Sequence, residues 1–153
     1  MQKLYMAAAL AGLAALTSGA SLATPAPRLP MRIDGADATR SGPAVVVLWA
    51  TWCASCIGEL KRLPALANAA RPLPVVTLAI DPPERARRAM QQAGLDTRDA
   101  FADPGEPAAV LAKWGGTALP LAVAIDAQGR VCGRKHGLLG SDQMKQWAKA
   151  CLS

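Results

Sequence analysis

Ala44–Cys56, AVVVLWATWCASC, sets a run of apolar, largely β-branched residues directly against two cysteines three positions apart. Ala44 to Ala50 lacks the alternation of a strand with one wet face, so it reads as a central strand buried on both sides. The helix that follows starts at about Cys53, and Leu60, Leu63 and Ala67 recur along it at helical spacing. Pro64 falls inside that pattern and is expected to kink the helix or start a new turn. The cysteines therefore stand at a strand-to-helix junction, where a redox centre, half of a metal site or a structural bridge are all chemically open.

Outward from this junction, Leu73–Asp81 reads as a second buried strand and Pro83–Gly94 as a helix stopped by its glycine. A short strand around Asp99–Ala102 and a helix over Glu106–Trp114, ended by Gly115 and Gly116, come next. Leu121–Asp126 and Arg130–His136 form a hairpin about the turn AQG. The last helix opens with Ser141 as N-cap and Asp142 against the helix dipole, and it places Met144, Trp147, Ala148 and Cys151 on one face. This order predicts an α/β fold with a mixed sheet, parallel where helices make the connections and antiparallel at the final hairpin. No internal repeat interrupts it.

A length of 153 residues with 52% hydrophobic content suits one domain with a substantial core. Lys3, the uncharged apolar run Leu4–Leu16 and the small residues after it have the order of a secretory signal peptide cut after Ala23. An uncleaved anchor is the other reading, but the run is shorter than the roughly 20 residues of a spanning helix. Residues 24–43, rich in Pro and Gly, are expected to be a linker with at most one short strand near Met31–Ile33, and residues 44–153 the folded domain. Export to a periplasmic or other oxidising compartment would let the four cysteines form two stable disulfides. The net charge of +6 is carried by residues such as Arg85, Arg87 and Arg88, scattered among acids in the manner of a solvated face. With 4% aromatic content and no basic stripe interleaved with aromatics, the sequence argues against a nucleic-acid partner. It does not fix an oligomeric state.

At the start of a helix, free N–H groups and the positive end of the dipole stabilise a thiolate. Cys53 is accordingly the expected nucleophile, and Cys56, one turn on, the resolving thiol. Glu59 follows on the same face. It is either an exposed helix carboxylate or, if buried, a group of raised pKa able to exchange protons with Cys56.

VVVLWATWCASC, the Glu59 after it and the downstream GTALPLAVAIDAQGRV together resemble the thioredoxin superfamily, in particular the exported TlpA/ResA-like thiol:disulfide oxidoreductases. The resemblance runs from about Ala44 to Leu152. It implies a thioredoxin-like fold with helices on both faces of the sheet, a redox-active Cys53–Cys56 pair that needs no other cofactor, and protein thiols or disulfides as substrates. It further implies a cis Pro120 lying against the pair and a Leu119 whose backbone can receive an extended substrate segment. Glu59 then matches the glutamate that ResA-like proteins keep near their thiols. Trp49 is expected in the core and Trp52 at the substrate surface. A membrane-embedded thiol donor and a role in cytochrome c maturation also come with the resemblance. Val47 departs from the pattern, since that position carries a buried aspartate in thioredoxins and often asparagine in the TlpA-like group.

Cys132 and Cys151 remain open at this level. The last helix should run back along the strand holding Cys132, which would bring Cys151 within bridging reach. Against a bridge, Cys132 alternates in phase with Arg130, Arg134 and His136 and so belongs to the more polar face. A zinc site of all four cysteines lacks the second closely spaced pair that such sites use. A copper-binding module would want a histidine or methionine beside Cys53, whereas His136 lies on the last strand, so no metal is expected. A thiol peroxidase is the remaining alternative.

Overall fold

A computed structural model describes residues 24–36 and 42–153. The expected signal peptide, residues 1–23, lies outside the described residues, as does the stretch 37–41 of the expected linker. The elements follow the order β1 (Met31–Arg32), β2 (Ala44–Trp49), α1 (Ala54–Ala70), β3 (Val75–Ala79), α2 (Pro83–Gln92), β4 (Ala100–Ala102), α3 (Pro107–Lys113), β5 (Leu121–Ile125), β6 (Val131–His136) and α4 (Ser141–Cys151).

Among the described residues six strands form one sheet in the order β1-β4-β3-β2-β5-β6. β2, β3 and β4 are mutually parallel, while β5 runs antiparallel to β2, β6 to β5 and β1 to β4. Every residue of β2 is buried, as a strand without alternation requires. Val45 and Val47 belong to a cluster with Ala122, Ala124, Leu66 and Ala70 of α1, and Met144, Trp147 and Ala148 of α4. Val46 and Leu48 belong to a second cluster with Val76, Leu78, Val123, Ala86 and Met90 of α2, and Val110 and Leu111 of α3. Fully burying each such aliphatic side chain is worth about 1.5–3 kcal/mol, which makes β2 the strand that holds the two layers of helices to one sheet.

Several local expectations change. Helix α1 runs unbroken through Pro64, which lies on the exposed side, while buried Leu60 and Leu66 on either side of it hold the helix to the core. The buried face therefore passes through Leu66 and Ala70, with Leu63 and Ala67 only half-buried. The N-cap of α4 is Gly140, whose carbonyl accepts from Met144 N–H at 3.1 Å, and Ser141 is the first helical residue, making no cap hydrogen bond. Helix α2 stops two residues before Gly94. Gly94 takes φ +67°, its N–H bonds to Gln91 O and that of Leu95 to Met90 O, the paired closure of a left-handed glycine stop. The described part of the expected linker, 24–36, supplies β1 and inserts Leu29 and Ile33 into the core. Pro25 bridges to Arg130.

The phase argument against a Cys132 bridge fails at a β-bulge. Ala124 pairs with Gly133 but Ile125 pairs with Val131, which leaves Cys132 as the extra residue. A bulge re-aims the side chain at its site. Gly133 sits under α4, so close that a Cβ there would collide with the Trp147 indole, and the bulge brings Cys132 to this same side, away from the phase of Arg134. Cys132 and Cys151 are joined there by a disulfide, with Cα atoms 5.6 Å apart. The bond closes a loop with a sequence separation of 19. Replacing both cysteines by serine should retain the fold and lower the unfolding free energy by about 3 kcal/mol, the loop-closure value for that length. Urea denaturation with the Cys53–Cys56 pair held oxidised reads this directly, and coincident midpoints would show that the bridge contributes nothing.

Candidate active site

Strand β2 ends at Trp49, and Ala50, Thr51 and Trp52 carry the chain to the start of α1. Cys53 N–H donates to Ala50 O at 3.1 Å, closing a tight turn. Cys53 is the N-cap of α1, one position earlier than a first-turn residue, and its extended backbone (φ −95°, ψ 97°) aims Sγ back over the helix end. Cys56 N–H donates to Cys53 Sγ at 3.3 Å, and Ser55 Oγ lies 3.5 Å from the same sulfur. The first turn of α1 carries no acidic residue to oppose a negative sulfur. A thiolate at Cys53 would thus meet the free N–H groups and positive dipole end of a 17-residue helix.

Cys53 and Cys56 are joined by a disulfide, with Cα atoms 5.2 Å apart. The two sulfurs differ in access. Cys53 keeps 8% of its surface exposed and Cys56 1%. Trp52, immediately before Cys53, is 60% exposed, whereas Trp49 is wholly buried.

The opposite wall comes from the start of β5. Leu48 pairs with Leu121, so Pro120 stands across from the end of β2, at the sheet edge where Cys53 begins α1. The Leu119–Pro120 peptide is cis. A second cis bond, Arg71–Pro72, had no sequence signal and lies at the far end of α1. Pro120 O accepts from Gly137 N–H at 2.8 Å. Among the described residues the N–H and carbonyl of half-buried Leu119 have no hydrogen-bond partner.

Two carboxylates are buried beside this edge. Glu59 is buried, and its Oε1 accepts from the backbone N–H of Leu139, in the loop between β6 and α4. Of the two readings open for Glu59, the exposed one is therefore excluded. Asp81, just past β3, was not singled out in the sequence. Its Oδ2 accepts from Thr51 N–H and its Oδ1 lies 3.3 Å from Thr51 Oγ1, which anchors the loop into Cys53. The available signal was its place at the carboxyl end of a parallel strand, where α/β folds gather functional groups. At Val47 the departure from the thioredoxin pattern is real packing: the side chain is buried and its cross-strand neighbour is Thr77, whose hydroxyl is buried without a partner.

The four cysteines are thus taken up in two separate disulfides, and among the described residues no three His, Cys, Asp or Glu side chains converge as metal ligands would. Also among the described residues, no helix is long and apolar enough to cross a membrane.

Solved structures with this architecture are thiol:disulfide interchange proteins of the thioredoxin family. One from Chlorobium tepidum is 23% identical, with a TM-score of 0.64 over 86% of this chain and 97% of its own. StoA from Bacillus subtilis is 18% identical, with a TM-score of 0.62 over 82% of this chain and 98% of its own. A secreted disulfide oxidoreductase of Mycobacterium tuberculosis, homologous to DsbE of E. coli, is 19% identical, with a TM-score of 0.60 over 78% of this chain and 92% of its own. No protein-family model and no curated protein matches the chain. The structural likeness establishes the fold: this chain has the thioredoxin fold, with a Cys-x-x-Cys disulfide at the start of α1.

Burial lifts the Glu59 carboxyl above its ordinary range, against the Leu139 N–H and the charges of Arg62 and Lys135, which favour ionisation. A carboxyl raised in this way holds its proton more tightly in the folded state than in the unfolded chain. Its contribution to stability is complete below the ordinary value of 4.5 and is lost as pH rises through the raised native value. Glu59→Gln keeps an oxygen for Leu139 and removes the charge. Urea unfolding at pH ~4 and pH ~7 should show the variant gaining stability relative to the unsubstituted protein as pH rises, and a pH-independent difference would mean that the carboxyl is not desolvated.

Proposed function

We propose that this thioredoxin-fold chain is an exported thiol:disulfide oxidoreductase that reduces disulfides in other proteins. The observation that carries this reading is the Cys53 sulfur at the N-cap of α1, less deeply buried than Cys56, disulfide-bonded to it and hydrogen-bonded by the Cys56 N–H.

In the reduced protein, the Cys53 thiolate attacks one sulfur of the partner's disulfide, forming a mixed disulfide and releasing the partner's other sulfur as a thiolate. Cys56 then loses its proton to the Glu59 carboxylate and attacks Cys53 Sγ. The mixed disulfide breaks, the partner leaves with both sulfurs reduced, and Cys53–Cys56 is left oxidised. Two electrons have passed from this chain to the partner. A membrane-embedded thiol donor restores the dithiol by the same exchange run in reverse. Trp52, the free backbone of Leu119 and the adjoining Pro120 form the rim on which an extended substrate segment is held, by added strand pairing at Leu119.

The leader-like residues 1–23 support export, and a secreted structural neighbour accords with it. Clients of such a reductase are exported proteins whose cysteines must stay reduced before use, as in cytochrome c maturation. The Cys132–Cys151 bond serves stability in this scheme and takes no part in exchange.

The reduction potential of the Cys53–Cys56 pair tests the reading, measured by thiol trapping against graded redox buffers with Cys132 and Cys151 replaced by serine. A value near about −270 mV or lower is expected for a reductase, whereas one near about −120 mV would mark an oxidant, and the absence of a reversible titration would refute exchange altogether. Cys53→Ser should abolish exchange. Glu59→Gln should slow the resolution step, followed by the decay of the mixed disulfide, more than its formation.

A further inference from the structure

Beside the redox pair, a cleft of about 460 Å³ opens between α1 and α2. Thr51 and Ile57 form its inner end, so it begins within two residues of Cys53 and directly after Cys56. From there it leads outward past Lys61 on α1 and Arg85, Arg88 and Gln92 on α2. Arg85, Arg88 and Gln92 stand three and four positions apart and so share one face of α2, and all three side chains are exposed. No carboxylate and no aromatic ring lines the cleft. The nearest anion, Asp81, is buried behind Thr51 with Oδ1 4.0 Å from Arg85 Nη1. Among the described residues Lys61 and Arg88 have no ion-pair partner, Glu84 included.

Of the cations that the sequence suggests are a solvated face, Arg85 and Arg88 thus share one recess with Lys61. Two come from α2 and one from α1, and they line one recess with Thr51 and Ile57, which flank the Cys53–Cys56 segment in the chain. We propose that this cleft receives an acidic segment of the protein substrate, flanking the cysteine that Cys53 attacks. The inference rests on the disulfide-exchange reading and adds what the substrate looks like. From Arg85 to Gln92 the cleft wall extends about 10 Å at the rise of an α-helix, the span of about three residues of extended chain. Acidic residues two to four positions from the reactive cysteine would thus come opposite Lys61, Arg85 and Arg88. The absence of aromatic faces on which bases would stack favours a polypeptide over a nucleic acid. Convergent cations in a recess raise the encounter rate of an anionic partner and orient it, and added salt weakens both effects.

The test uses two peptides with the same disulfide, one flanked by aspartates at those positions and the other by lysines, each reduced by the dithiol form of the mature protein. At about 20 mM salt the acidic peptide should react about tenfold faster than the basic one, and at about 500 mM the two rates should converge. K61E/R88E should invert the preference at low salt. Both positions are exposed, and a circular-dichroism melt matching that of the unsubstituted protein establishes that the variant is folded. Equal rates for the two peptides at low salt, or a preference unchanged in K61E/R88E, would overturn the docking role while leaving disulfide exchange intact. Failure to reduce either peptide would overturn disulfide exchange, and the docking role with it.

Discussion

β2 is buried on both faces, and the position of every functional group follows from that burial. A strand covered on both sides needs a helical layer on each, and its neighbours β3 and β5 are apolar where they pair with it, save at Thr77. Its end is consequently held on all sides, so the turn through Ala50 to Cys53 starts from a fixed point. The helix that begins there runs back against the direction of the strand, because β3, which follows it, is parallel to β2. Cys53 is itself part of the core, and the chain reaches the surface just before it, at Trp52.

Two buried carboxylates work on either side of this turn, and their tasks separate by partner. Asp81 takes the backbone N–H and the hydroxyl of Thr51, so its charge is met by donors on the loop it fixes. Glu59 takes one N–H, from Leu139, and is otherwise desolvated, which raises its proton affinity. A carboxylate with its donors satisfied is a positioning group; one held short of them can carry a proton.

The sequence revealed what depends on local pattern. β2 and β3 were legible as unbroken apolar runs, α2 by its glycine stop, and Cys53 and Cys56 by their place at the strand-to-helix junction. What escaped depends on contacts across the fold. The local pattern leaves Glu59 open between exposed and buried, and a contact with Leu139, 80 positions away, decides it. Asp81 reads as a strand end until Thr51 is found against it, 30 positions distant. Cys132 was assigned to the polar face by counting along a regular strand, and one bulge residue reverses the count. Ser141 and Pro64 show the limits of residue preference: the extended backbone at Gly140 sets the start of α4, and burial at Leu60 and Leu66 carries α1 past its proline.

The two disulfides are also opposed in design. Cys132–Cys151 ties the end of α4 to a bulge in an edge strand, with Cys151 buried and Cys132 half-buried, and it closes a loop with a sequence separation of 19. Cys53–Cys56 closes a loop of only one helical turn, so it constrains the unfolded chain far less and contributes correspondingly little to stability. Opening it therefore costs the fold little. The less deeply buried of its sulfurs, Cys53, is also the one that stands at the helix end, where a thiolate is stabilised. A thiol pair that must open and close repeatedly within a stable domain is best placed where it holds nothing together, and here the remote bridge, the paired strands and the two layers of helices do that holding instead.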